Sequence, residues 1–154
     1  ALDQWTKWLV IQNIPLNTSW LPESLAWLEP YARLRHIQNR GVSFGMFQDG
    51  NMILTILVFL IVLGVLYYVF TLESEQTWTW VAAGLYLGGA VGNLIDRLTI
   101  GAVTDFVSVG NFYIFNVADA SINVSVVMLL ILFWVHERNS PQKPDPQPSE
   151  ETHE

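Results

Sequence analysis

From Met52 to Phe70 the sequence carries no charge, and Thr55 is its only frankly polar side chain. As a helix this run is about 29 Å long, close to the roughly 30 Å hydrocarbon core of a bilayer. A soluble protein could hide such a helix only inside a larger body than 154 residues supply. Composition agrees: 51% of residues are hydrophobic and 14% charged, where a soluble domain carries roughly 25% charged. Too few charges remain to cover a water-facing surface. The chain reads as a mainly α-helical integral membrane protein.

Two further runs have a different texture. Thr77 to Ile95 is uncharged and holds Gly84, Gly88, Gly89, Ala90 and Gly92. In water each such glycine weakens a helix by up to about 1 kcal/mol relative to alanine. In lipid, small residues spaced four apart let backbones approach closely, which predicts a central helix packed on more than one neighbour. Phe112 to Val135 is apolar except for Asn116, Asp119, Ser121, Asn123 and Ser125. All five precede Val126, so that end must face protein or water. The opening stretch, Ala1 to Ile14, is amphipathic, with Asp3 and Lys7 one turn apart. It is too short and polar to span alone, and reads as the end of a transmembrane helix whose first half lies outside this sequence. With no basic n-region and an interrupted apolar stretch, it does not read as a signal peptide.

The connection from Pro15 to Gly50 is too long for a plain turn. Leu34-Arg-His-Ile-Gln38 has strand character, and Asn39-Arg-Gly41 and Asp49-Gly50 read as turns. A small β-hairpin or sheet at the membrane surface is expected there. Pro141 to Glu154 is rich in proline and lacks large apolar residues, so it is expected to be disordered. The expected organisation is one membrane domain over 1–138 and a disordered polar tail over 139–154. The net charge of −7, with no basic stripe, argues against nucleic acid and gives no attraction to anionic lipid. Arg33, Arg35 and Arg40 in the long connection, against Arg138 and Lys143 at the C-terminus, leave orientation undecided by charge.

Three acids lie against the apolar runs, where ionised carboxylates are costly and mark a site, a proton path or a pair. Asp96 closes the glycine-rich run beside Arg97, and a structural ion pair at the helix end, with Arg97 or another nearby group, is the plain reading. Asp105 lies in the short connection that follows, and Asp119 lies inside the last run. That connection brings both to the same membrane face. Two carboxylates close together cannot both ionise easily, so one pKa rises, and a shared-proton pair can activate water with one member and donate a proton with the other. Two independently solvated acids at a helix boundary would have the same spacing, so both readings stand. His36, His136 and His153 are scattered and cysteine is absent, which leaves no zinc pattern, disulfide or thiolate site. Serines 43, 108, 121 and 125 lack a nucleophile-elbow context. Lys7 as the base of a Ser/Lys dyad is outweighed by snorkelling or by pairing with Asp3. From the acids alone, a small proton- or ion-coupled transporter and a non-catalytic membrane scaffold remain alternatives.

Five segments, in order, carry a resemblance: Asp3-Gln-Trp-Thr-Lys7, Asn39-Arg-Gly-Val-Ser-Phe-Gly45, Gly88-Gly-Ala-Val-Gly-Asn-Leu-Ile-Asp-Arg97, Gly101-Ala-Val-Thr-Asp-Phe106 and Phe115-Asn-Val-Ala-Asp119. Together they resemble lipoprotein signal peptidase, the type II signal peptidase of bacteria. The resemblance implies four transmembrane helices, with a small extracytoplasmic β-sheet cradle and a helical segment on the outer face of the cytoplasmic (inner) membrane. It implies an aspartic endopeptidase, without cofactor or metal, that cleaves prolipoproteins just before a diacylglyceryl-modified cysteine. Asp105 and Asp119 become the catalytic dyad by motif position. Asn93, Asp96, Arg97 and Asn116 would form the surrounding polar site, while Asp3, Lys7, Asn39 and Gly41 would contact substrate or support the fold. The implied partners are lipidated prolipoproteins and membrane lipids, with the enzyme a monomer. Two departures stand out: the connection between Asp105 and Asp119 is shorter than in many relatives, with Tyr113-Ile114-Phe115 where a Phe-Pro-x-Phe pattern is common, and the tail is acidic.

Overall fold

The computed structural model describes residues 1–41, 51–71, 77–110 and 113–139. In chain order these form helix α1 (Leu2–Asn13), strand β1 (Ser19–Trp20), a 3-10 segment (Glu23–Leu28), β2 (Ala32–Asn39), α2 (Asn51–Thr71), α3 (Thr77–Thr99), β3 (Val103–Val109) and α4 (Val117–Asn139). Two of the helices, over Met52–Thr71 and Val117–Asn139, are long and apolar enough to cross a membrane. Among the described side chains of α2 only Val62 is buried, as expected of a helix whose apolar surface meets lipid. The acidic tail and the segment Val42 to Gly50, with its expected Asp49-Gly50 turn, lie outside the described residues.

Proline and glycine set the boundaries that matter for the site. Pro15 follows α1, and a residue before proline is pushed out of the helical region. Ile14 accordingly adopts φ −122, ψ 115 after its amide closes the last turn onto Val10 O. The chain then turns through Asn17 at φ 64, a left-handed conformation that asparagine tolerates better than most residues. Gly101 at φ 72 ends α3, the usual glycine exit from a helix, and sends the chain straight into β3.

That segment, read from sequence as a plain connection, is a full strand of the sheet. The order is β1-β2-β3, all antiparallel, with β2 in the middle. β2 and β3 pair from Asn39↔Val103 to Ala32↔Val109, with a register shift between Leu34 and Ile37. The expected surface sheet is therefore present, but the longer partner of β2 comes from beyond α3. Sequence periodicity missed β3 because Val103, Thr104, Asp105, Phe106 and Ser108 are buried on both faces, which erases the apolar–polar alternation of a one-sided strand. Phe106 packs with Val10 and Ile14 of α1, and Leu34, Val107 and Val117 close around them.

α3 lies against α1, α2, α4 and β3, the central position its glycines predict. A Cβ on Gly89 would stand 2.5 Å from Ala118 O, and one on Gly92 would stand 2.6 Å from Asp3 Oδ2. These two glycines let α4 and α1 approach the backbone of α3. α4 begins at Val117, inside the apolar run rather than at its start. Before it, Phe115 exchanges hydrogen bonds with Val107 (2.7 and 3.1 Å), which holds the start of α4 against β3.

Candidate active site

Asp105 sits opposite Ile37 in the β2–β3 pair and is 3% exposed. Asn39, two residues along β2 from Ile37, shares its face of the sheet and donates Nδ2 to Asp105 Oδ2 at 3.0 Å. The Gly41 amide donates to Asn39 Oδ1 at 3.0 Å, which determines the way the Asn39 amide points. The other carboxylate oxygen, Asp105 Oδ1, accepts Asn116 Nδ2 at 2.8 Å. Burial pushes the Asp105 carboxyl up to about 7; the Asn39 bond pulls against it, and the Asp119 charge adds to it.

Asp119 stands in the first turn of α4 and is half-buried. Asn116 caps the helix: the Asp119 N–H donates to Asn116 Oδ1 (2.9 Å), and the Asn116 N–H donates to Asp119 Oδ2 (3.2 Å). This is a reciprocal capping box. Asp119 Oδ1 accepts Asn93 Nδ2 at 2.8 Å. One fully buried amide, Asn116, thus touches both acids, its oxygen on the Asp119 amide and its nitrogen on Asp105.

Beneath the pair lies a charged layer. Lys7 is 2% exposed. Its ammonium reaches Asp3 Oδ2 (2.9 Å), Asp96 Oδ2 (3.1 Å) and Asn93 Oδ1 (2.9 Å), one acceptor for each proton. Asp3 Oδ1 accepts the Ala118 amide at 2.8 Å, placing an anion where the start of α4 favours one. Asp96 Oδ2 also accepts the Thr104 amide at 2.9 Å. Residues from α1, α3, β3 and α4 are therefore joined in one polar cluster. Among the described residues no three acidic or histidine side chains converge as a metal-ligand set.

Comparison with known proteins decides the family. A model described as signal peptidase (SPase) II matches residues 1–135. The lipoprotein signal peptidase of Anoxybacillus flavithermus is 36% identical over 141 residues, covering 89% of this chain and 81% of that protein. That of Shouchella clausii is 37% identical over 141 residues, covering 90% and 89%. The chain belongs to the signal peptidase II family. A solved structure described as a bacterial membrane enzyme is similar in fold, with TM-score 0.81 at 24% identity over 94% of this chain and 88% of that one. A second so described gives 0.75 at 25% identity, over 86% and 84%.

Membership in the signal peptidase II family makes this chain a membrane protein and a peptidase. All ten residues singled out from its sequence can be placed. Asp3, Lys7, Asn93, Asp96, Asn116 and Asp119 form one connected network with Asp105 and Asn39, and Gly41 orients Asn39. Of the partners open to Asp96, its neighbour Arg97 is not the one it takes. Neighbours on a helix point about 100° apart; Asp96 therefore turns to Lys7, while Arg97 Nη1 donates to Asn93 O at 3.4 Å. The Arg97 guanidinium still lies in the field of Asp119, Asp105 and Asp96. Lys7 pairs with Asp3 as expected but does not snorkel: three buried acceptors hold it instead. Gln4 escaped the sequence reading. It lies in the first quoted motif, but a neutral amide on a helix shows no cost that would draw attention to it.

Proposed function

We propose that this signal peptidase II family member removes the signal peptide from diacylglyceryl-modified prolipoproteins, cleaving just before the lipidated cysteine, with Asp105 and Asp119 as its acid–base pair. The observation that carries this reading is the Asn116 bridge, which couples a deeply buried carboxyl on β3 to a half-buried one at the start of α4. Burial holds a proton on Asp105 up to about neutral pH, which gives Asp105 the part of the acid and leaves the part of the base to Asp119. Asp119 takes a proton from a water as its oxygen attacks the scissile carbonyl, and Asp105 donates its proton to the carbonyl oxygen. When the tetrahedral intermediate collapses, Asp119 returns a proton to the leaving amine, and Asp105 recovers one from the intermediate's hydroxyl. Amide donors from Asn39, Asn93 and Asn116 hold both carboxylates throughout, while Lys7 neutralises part of the charge beneath them.

In this reading α3 crosses the bacterial cytoplasmic membrane with α2 and α4, and α1, 12 residues long, lies beside them as part of the first of four helices. The sheet and the dyad then lie at its extracytoplasmic face. Support comes from the exposed aromatic side chains Trp20, Trp27 and Tyr31 beside the sheet, the residue types that favour a membrane–water boundary. The test is cleavage of a diacylglyceryl-modified peptide by Asp105→Asn and Asp119→Asn in folded, membrane-inserted protein. Each variant is expected to lose cleavage. Normal turnover by either one rules out the dyad.

A further inference from the structure

Gln4 is held by three acceptors on two helices. Its Nε2 lies 2.8 Å from Asp96 Oδ1, 3.1 Å from Gly92 O and 3.3 Å from Asp3 Oδ2. Both oxygens of Asp96 are thereby engaged: Oδ1 takes Gln4, and Oδ2 takes Lys7 and the Thr104 amide. Thr104 immediately precedes Asp105, and its own carbonyl accepts Asn116 Nδ2 at 3.3 Å. The backbone leading into Asp105 is thus gripped at its N–H from α3 and at its C=O from the cap of α4.

We propose that Gln4 is a positioning residue for the dyad, locking the Asp96 carboxylate so that the Thr104 amide, and with it Asp105, is held in register with Asp119. The proposal rests on the dyad assigned above. Gln4 does this without charge. An ammonium or guanidinium at the same place would grip Asp96 equally well, but it would add a positive field close to a carboxyl that must keep its proton, and Lys7 already pulls in that direction. A neutral amide supplies the hydrogen bond and leaves the proton balance alone.

The test combines two variants with three readouts. In Gln4→Ala the Thr104 amide should exchange with solvent about tenfold faster, because its acceptor loses the hold on Oδ1 and is left to Lys7 alone. The Phe106 amide, bonded to Phe115 O at 3.1 Å, should keep its wild-type rate. On a diacylglyceryl-modified peptide the same variant should lose kcat by about tenfold, with KM within twofold, since misplacing a reacting group costs rate rather than binding. Gln4→Glu donates a hydrogen bond only when protonated, and when ionised it repels Asp96. The charged groups around it are Asp3 and Lys7 on its own helix and Asp96 on α3, with Arg97, Asp105 and Asp119 one layer away. Its activity relative to wild type at the same pH should be highest near pH 5 and fall several-fold by pH 8. A lost structural contact would lower that ratio equally at every pH. Unchanged Thr104 exchange in Gln4→Ala, or a pH-independent ratio in Gln4→Glu, overturns the proposal. Should Gln4→Ala not fold, the Gln4→Glu ratio decides, being measured within one preparation. Thr104 exchange needs no substrate, so this proposal and the dyad assignment can fail separately.

Discussion

Replacing Asp105 with asparagine should make the stability of the protein less dependent on pH, by an amount the structure sets. The Asp105 carboxyl, buried on β3, is pushed from its ordinary 3.8 up to about 7. Between those values the folded chain holds a proton that the unfolded chain has released, so wild-type stability falls as pH rises through that window and levels off above it. A rise of roughly three pH units corresponds to about 4 kcal/mol at full effect. The introduced asparagine has no proton to lose. Its amide nitrogen would face a donor from Asn39 or Asn116, at a cost of about 1–3 kcal/mol for one unsatisfied group, but that cost does not vary with pH. The variant should therefore be the less stable protein near pH 4 and gain steadily on wild type up to pH 8. Other titrating groups contribute alike to both proteins and cancel in the difference. Thermal unfolding in detergent, followed by tryptophan fluorescence at pH 4, 5, 6, 7 and 8, measures it. At roughly 2–4 °C per kcal/mol, the gap in Tm should shift by about 10 °C across the series. A gap that stays constant with pH would refute the account of Asp105 as a carboxyl whose burial keeps it protonated.

Other expectations follow from the same contacts. Lys7→Met should cost about 3–5 kcal/mol, because it leaves Asp3 and Asp96 buried without their shared cation; denaturant or thermal unfolding checks it. Asn116→Ala removes the cap of α4 and a donor to Asp105. It should cost about 1–2 kcal/mol in stability and lower kcat far more than KM in a peptide-cleavage assay. Gly89→Ala forces a Cβ against the Ala118 carbonyl and should loosen α3 from α4, whereas Gly84→Ala meets nothing within 4 Å and should be neutral or stabilising by up to about 1 kcal/mol. Paired melting curves of the two glycine variants read the contrast directly.

How far the site could be read in advance depends on the physical cost of each residue where it lies. Asp105 and Asp119 were conspicuous because carboxylates beside apolar runs need a reason. Asp96 was equally conspicuous and an ion pair was expected of it, but sequence left open whether Arg97 or another group supplies it; helix geometry turns it toward Lys7, far away in the chain. β3 was invisible as a strand because burial on both faces removes the period that reveals one. Gln4 was invisible because an uncharged amide is inexpensive wherever it sits, and only its three acceptors give it meaning.

Membrane residence, the apolar helices and the identity of the acids follow from the sequence alone, because hydrophobicity and charge act locally and are expensive to violate in lipid. The tertiary structure decided which of those acids meet. A carboxyl at the middle of β3 and another at the start of α4 come together because Gly101 turns the chain back, Phe115 pins it to Val107, and Asn116 spans the gap. Each of these is a directional contact between groups brought close by folding. Such contacts leave no period, composition or charge pattern in the chain from which they could have been read.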